Sequence, residues 1–179
     1  MPKVIKIGLN TKDIDSAIRE VEKYKQDFLR KVDVFRDRLA KEITDLAQSG
    51  FNSAMIDDVL PGYGSSRSAS VKVDFDSVGN ITTVVASGED AIWVEFGAGV
   101  YHNGSVGSSP HPQGAKLGYT IGSYGKGYGK GNVWGYYTNP DEKTGLVLTH
   151  GTPATMPMYN AMKTVSAKVI SIAREVFGA

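Results

Sequence analysis

Three histidines, His102, His111 and His150, are the side chains of this 179-residue sequence best suited to hold a metal ion or move a proton near neutral pH. With Glu95 or Asp141 as a base, they could in principle build a zinc hydrolase. Their spacing argues against it. No two stand one helical turn apart as in HExxH, and His102 and His111 fall in a glycine-rich stretch that cannot orient ligands without help. His111, between Pro110 and Pro112, reads as a loop residue, and His150 as a turn residue whose ring caps a carbonyl. The sequence has no Cys, which excludes disulfides, thiolate nucleophiles and thiolate zinc sites. No GxSxG elbow occurs, and Glu89 and Asp90 are neighbours in a turn rather than a converging carboxylate pair. No catalytic residue, metal ligand or cofactor is therefore assigned.

The segment Gly122–Gly131, GSYGKGYGKG, offers glycine amides and lysines of the kind that cradle phosphate. A phosphate loop needs an earlier glycine where Thr120 and Tyr124 stand, and a Ser or Thr after Lys126 or Lys130, where glycine stands. The dinucleotide fingerprint fails as well, because Lys130 occupies the third glycine position after Gly125 and Gly127. The same Lys and Tyr side chains could track a nucleic-acid backbone and stack on bases, which makes a small nucleic-acid-binding protein one alternative function and the histidine metal hydrolase another. Lys116, Lys126 and Lys130 are a thin positive footprint for such a role, and the bulk balance of 20 Lys and Arg against 19 Asp and Glu adds no general attraction.

These residues must be positioned by a single α+β domain spanning 1–179. Residues 12–49 hold nine basic and nine acidic side chains with no Gly or Pro. Ile14, Ile18, Val21, Phe28, Val32, Phe35, Leu39, Ile43 and Leu46 draw one apolar stripe along them, which predicts a helix over 10–50 with Asn10 or Thr11 as cap and Gly50 past its end. Unbroken over 12–49 it runs about 57 Å, against a radius of gyration of about 16 Å for a compact chain of this size. It either bends back over the sheet or projects as an arm, and a projecting stripe calls for a partner, most simply a second copy.

Beyond Pro61, Gly62 and Gly64 the period changes to two. Residues 69–96 read as strands: Val71, Val73 and Phe75 alternate with charges, Gly79-Asn80 marks a turn, and Ile81–Ala86 is a second strand. Ala91–Phe96 reads as a third, with Ile92, Val94 and Phe96 on one face and Trp93 and Glu95 on the other. Glu95 is then presented at a strand end, either paired with Lys116, Lys126 or Lys130 or solvated on an open sheet face. Residues 97–132 form a Gly- and Tyr-rich loop, 133–149 supply two more strands, and the sheet is an antiparallel meander. Over 155–177 the spacing of Met158, Met162, Val165, Val169, Ile172 and Val176 predicts a helix with one buried face, capped by Thr155. No membrane-spanning run or signal peptide is present, so a soluble protein made in a cytoplasm is expected.

Ile5-Lys-Ile-Gly-Leu9 leading into the charged helix, Trp93-Val-Glu-Phe-Gly-Ala-Gly99, His111-Pro112, Trp134 with Tyr136, His150-Gly-Thr-Pro-Ala154 and Pro157-Met-Tyr-Asn-Ala161 occur in that order. Together they resemble the tail-component proteins of tailed bacteriophages, the gene-product-ten-like morphogenesis proteins of the head-tail connection. The resemblance implies a structural tail-completion or neck subunit with no catalytic residues. It also implies assembly in a ring of its own copies beside connector and tail-tube proteins, in the virion and, during assembly, in the host cytoplasm. Contact with passing DNA is incidental in this reading, and no membrane is involved. The candidate assembly contacts are Val21, Phe28 and Phe35 on the helix, Trp93, Glu95 and Trp134 on the sheet, and Lys116, Tyr124, Lys126, Tyr128 and Lys130 in the loop.

Overall fold

The structure is a computed structural model that describes residues 8, 10–56, 67–97, 109, 111–114, 116–117, 134–139, 141–149 and 151–178. In chain order the elements are α1 (Thr11–Ser53), β1 (Met55–Ile56), β2 (Arg67–Ser68), β3 (Lys72–Val78), β4 (Ile81–Ser87), α2 (Ala91–Phe96), β5 (Trp134–Asn139), β6 (Thr144–Thr149) and α3 (Pro157–Phe177). The class is α+β, with long helices at both ends of the order. The strands do not form the expected single meander: among the described residues they make three separate two-stranded antiparallel ladders, β1–β2, β3–β4 and β5–β6. No helix among the described residues is long and apolar enough to cross a membrane.

α1 is one continuous helix of 43 residues, roughly 65 Å long. The Asn10 side chain starts it by accepting the Asp13 backbone N–H at 2.9 Å. Gly50 does not end it, contrary to expectation; the helix runs on to Ser53. A Cβ on Gly50 would stand 2.9 Å from Cβ of Pro157, so the glycine is there to let the start of α3 approach.

α3 lies antiparallel along the C-terminal half of α1. Pro157 meets Gly50, the Lys168 ammonium bonds the Glu42 carboxylate at 2.6 Å, Arg38 pairs with Glu175, and the Phe177 ring lies 5.8 Å from both Phe28 and Phe35. Residues 11–27 therefore overshoot the end of α3 by roughly 25 Å. Between the two outcomes left open by the periodicity, the structure has α1 unbroken and, among the described residues, extending past the end of α3. The apolar face of α3 is narrower than its spacing suggested: Ala161, Val165 and Ile172 are buried, whereas Met162 is 49% exposed.

The core gathers Ala47 and Phe51 of α1, Ala54, Ile56, Val73, Val94 and Ala161. Phe51, Val94 and Val165 are the largest wholly buried side chains, each stabilising the fold by about 1.5–3 kcal/mol relative to exposure. The β3–β4 hairpin closes through Gly79 at φ 58, where the positive φ needs a residue without Cβ. The backbone at its β3 edge is bonded to α1 by Gln48, which donates to the Val71 carbonyl at 2.9 Å and accepts the Val73 N–H at 2.8 Å, substituting for a neighbouring strand.

Candidate functional site

Ala91–Phe96 is a helix, which overturns the strand expected there. The Val94 N–H bonds the Asp90 carbonyl at 2.9 Å, and Gly97, at φ 80, closes the turn by donating to the Trp93 carbonyl at 2.8 Å. Alternation cannot bury two adjacent residues on one side, but a helix can, and Val94 and Glu95 are both buried. Asp90 anchors the start of the turn. Its carboxylate takes a two-pronged bond from Arg67, at 2.6 and 2.8 Å, and the Ser70 N–H at 2.8 Å. The Arg67 guanidinium holds the Asp90 carboxyl below its ordinary range, outweighing the opposing effect of burial.

The change from strand to helix relocates Glu95. It is only 7% exposed and, among the described residues, pairs with no lysine; Lys116 is exposed, and Lys126 and Lys130 lie outside the described residues. One carboxylate oxygen accepts the Met158 N–H at 2.8 Å, and the other accepts the Tyr159 N–H at 2.9 Å. Glu95 thus caps α3 from another part of the chain, filling the place expected of Thr155. Thr155 instead donates its backbone N–H to the Val94 carbonyl at 3.0 Å, and Met156, at φ 54, stands at the N-cap position without a side-chain bond. A carboxylate suits this end of a helix because unpaired N–H groups and the helix dipole converge there.

His111 completes the cluster. Its Nε2 lies 3.2 Å from Glu95, and its Nδ1 accepts the Gln113 N–H at 3.1 Å. A nitrogen that accepts a backbone N–H carries no proton, so the proton sits on Nε2 and is donated to the carboxylate. The ring packs 4.4 Å from Phe96 and 5.3 Å from Tyr159, between centroids. Ser109 ties the same segment down by donating its hydroxyl to the Phe96 carbonyl and accepting the His111 N–H. His111 is a loop residue, as expected, and within the loop it is buried and fastened. The sequence signal for this cluster was the pair of motifs themselves, the Glu before Gly97 and the His between prolines. Their meeting depends on a fold that places Glu95 against α3.

Beside this cluster lies an open, mostly apolar groove of about 560 Å³, walled by β4, α1, α2 and α3, with Ile43, Phe51, Ile92 and Met162 among its lining and Glu95 and His111 at its polar end. The remaining candidates are scattered. Val21 is 53% exposed on the overshooting part of α1. Phe28 and Phe35 both meet Phe177 within the same chain, and Phe28 remains 47% exposed. Trp93 is half-buried on α2, and the Trp134 backbone pairs with Thr149 in β5–β6. Tyr124, Tyr128, His102 and His150 lie outside the described residues. Among the described residues no three His, Asp or Glu side chains stand together as a metal site.

No family model, no curated protein and no solved structure matches the chain.

Proposed function

We propose that this protein is a structural subunit of a tailed-phage virion, a tail-completion or neck component that works by binding its own copies and neighbouring connector and tail-tube proteins. The observation that carries the reading is the overshoot of α1. The apolar stripe that α3 covers from Phe28 onward continues past the end of α3 through Ile14, Ile18, Val21 and Tyr24, which stay 43–57% exposed, while Ala17 on the same stretch is buried. An apolar stripe held out on a rigid arm is a contact surface. The charges on residues 11–27, four basic and five acidic, nearly cancel, which suits a like copy better than nucleic acid or an anionic surface. The resemblance of the sequence motifs to those of head-tail morphogenesis proteins suggests the biological setting. Glu95 and His111, bonded through both oxygens and both ring nitrogens, serve as fasteners that hold α2, α3 and the 109–114 segment together.

Native mass measurement of the purified chain, alone and with head-tail connector and tail-tube proteins, tests the reading. A defined multimer is expected, and the Ile18→Lys/Val21→Lys double variant should lose it while unfolding as cooperatively as the parent. A chain that stays monomeric at every concentration and in every mixture overturns the proposal.

A further inference from the structure

The two edges of the β3–β4 hairpin are treated differently. β3 carries Lys72, Asp74 and Asp76, and its outer edge is engaged by Gln48 at Val71 and Val73. Because the Val73 N–H points outward to Gln48, Val73 and Ala86 face each other as a non-hydrogen-bonded pair. By the alternation of an antiparallel ladder, so do Phe75 with Val84 and Ser77 with Thr82. Thr82, Val84 and Ala86 thus turn their N–H and C=O groups to the outer edge of β4, where they have no hydrogen-bond partner among the described residues. β4 itself, Ile81-Thr-Thr-Val-Val-Ala-Ser87, has no charge, proline or other feature that protects a free edge from pairing. The apolar groove opens on this same side: Val84, Val85 and Ala86 of β4 line it, and no residue of β3 does. An open strand edge beside an apolar trough fits an added strand, whose backbone completes the ladder and whose alternate side chains enter the trough.

The chain holds a segment of matching pattern. Val4-Ile-Lys-Ile7 is rich in β-branched residues, with Ile5 and Ile7 on one face of an extended chain and Val4 and Lys6 on the other. It is joined to the far tip of the α1 arm. From Asn10 to Ile43 in the groove wall, α1 rises about 50 Å, whereas the six residues from Val4 to Asn10 span at most about 21 Å when extended. The segment cannot reach the groove of its own protomer.

We infer that Val4–Ile7 of a second copy adds a strand to the outer edge of β4, placing Ile5 and Ile7 in the groove over Ile43 and Phe51, with the α1 arm as the strut that carries it across. The inference rests on the self-association proposed above and names its joint. It also gives the overshoot of α1 a length requirement, since a shorter arm would not deliver the segment to a neighbour.

The absence of cysteine makes the test free of background. Chains of one mass tag carry a single cysteine at Val4, Ile5, Lys6 or Ile7; chains of a second tag carry Thr83→Cys or Val85→Cys, both exposed on the outer face of β4. The two are mixed under reducing conditions, allowed to assemble, and oxidised gently. Mixed-tag disulfide dimers are expected from Val4→Cys and Lys6→Cys, which share the outer face with residues 83 and 85, and are expected to be lost with Ile5→Cys and Ile7→Cys. Equal yield at all four positions overturns strand addition. Native multimers that give no mixed-tag product also overturn it while leaving self-association standing, and point to another polypeptide on the β4 edge. Persistent monomers overturn both.

Discussion

Glu95 and His111 are 16 positions apart in the chain, yet their side chains meet at 3.2 Å in a buried cluster that also closes the start of α3. Each satisfies the other's hydrogen-bonding needs. Without His111, one oxygen of Glu95 loses a donor, and without Glu95 two helix N–H groups and an imidazole N–H lose their acceptor. Buried polar groups left in that state are more destabilising than the bonds themselves are stabilising.

Glu95→Ala is expected to destabilise the fold by about 2–4 kcal/mol, combining a lost cap with N–H groups left unsatisfied. Glu95→Gln keeps one acceptor oxygen and should lose less. Urea unfolding of the two variants beside the parent measures the difference; equal, negligible losses would remove Glu95 from its capping role.

His111 is expected to be the Nε2–H tautomer in the folded protein, identifiable from its ring nitrogen chemical shifts. His111→Phe preserves the ring packing on Phe96 and Tyr159 and removes only the polar bonds. A loss of about 1–3 kcal/mol should follow, together with faster hydrogen exchange of the Gln113 amide.

The Asp90–Arg67 pair predicts a pH dependence. The folded-state pKa of Asp90 lies below its unfolded value, so the pair contributes its full stabilisation above the ordinary Asp range. That contribution is lost as the pH falls through the lowered folded-state pKa. In Arg67→Met the carboxyl loses its main partner and its folded-state pKa rises toward the unfolded value, so the variant should be less stable at neutral pH and the acid-induced loss of stability owed to Asp90 should shrink. Unfolding followed from pH 6 downward checks the change; parallel profiles would show that Arg67 does not set the Asp90 charge.

Gly50→Ala should destabilise, although alanine favours a helix over glycine by about 1 kcal/mol. The added Cβ meets the rigid ring of Pro157 at 2.9 Å, and overpacking of this kind typically costs about 1–3 kcal/mol. Gly50→Ser should behave alike. A Tm raised by Gly50→Ala would mean that the two helices separate freely at this point.

Long periodic stretches were the legible part of the sequence. The stripe from Ile14 to Leu46 and the series from Met158 to Val176 repeat often enough to identify α1 and α3, and Gly79-Asn80 between alternating runs identifies the β3–β4 hairpin. Ala91–Phe96 was misread because six residues are too few to separate two periods, and Ile92, Val94 and Phe96 satisfy an alternation by accident of composition. The decisive contributions came from elsewhere in the chain, from Arg67 on Asp90 and from the amides of Met158 and Tyr159 on Glu95. Gly50 was misplaced for a similar reason: a glycine late in a helix signals either an end or a close neighbour, and only the position of Pro157 distinguishes them.

The pairing of α1 with α3 has a kinetic consequence. Lys168 and Glu42 touch although they stand 126 positions apart, so the principal helix contact is also among the most distant along the chain. Closing a flexible segment of that length costs about 4 kcal/mol of chain entropy before any packing is gained, which places folding among the slower, topology-limited reactions. Until closure, the face of α1 that ends up beneath α3 is as bare as the arm beyond it, and a nascent chain presents one uninterrupted apolar stripe to its neighbours. Premature association is therefore in direct competition with folding. The same logarithmic dependence on length makes the span between the helices permissive: doubling it would cost only about 0.6 kcal/mol more.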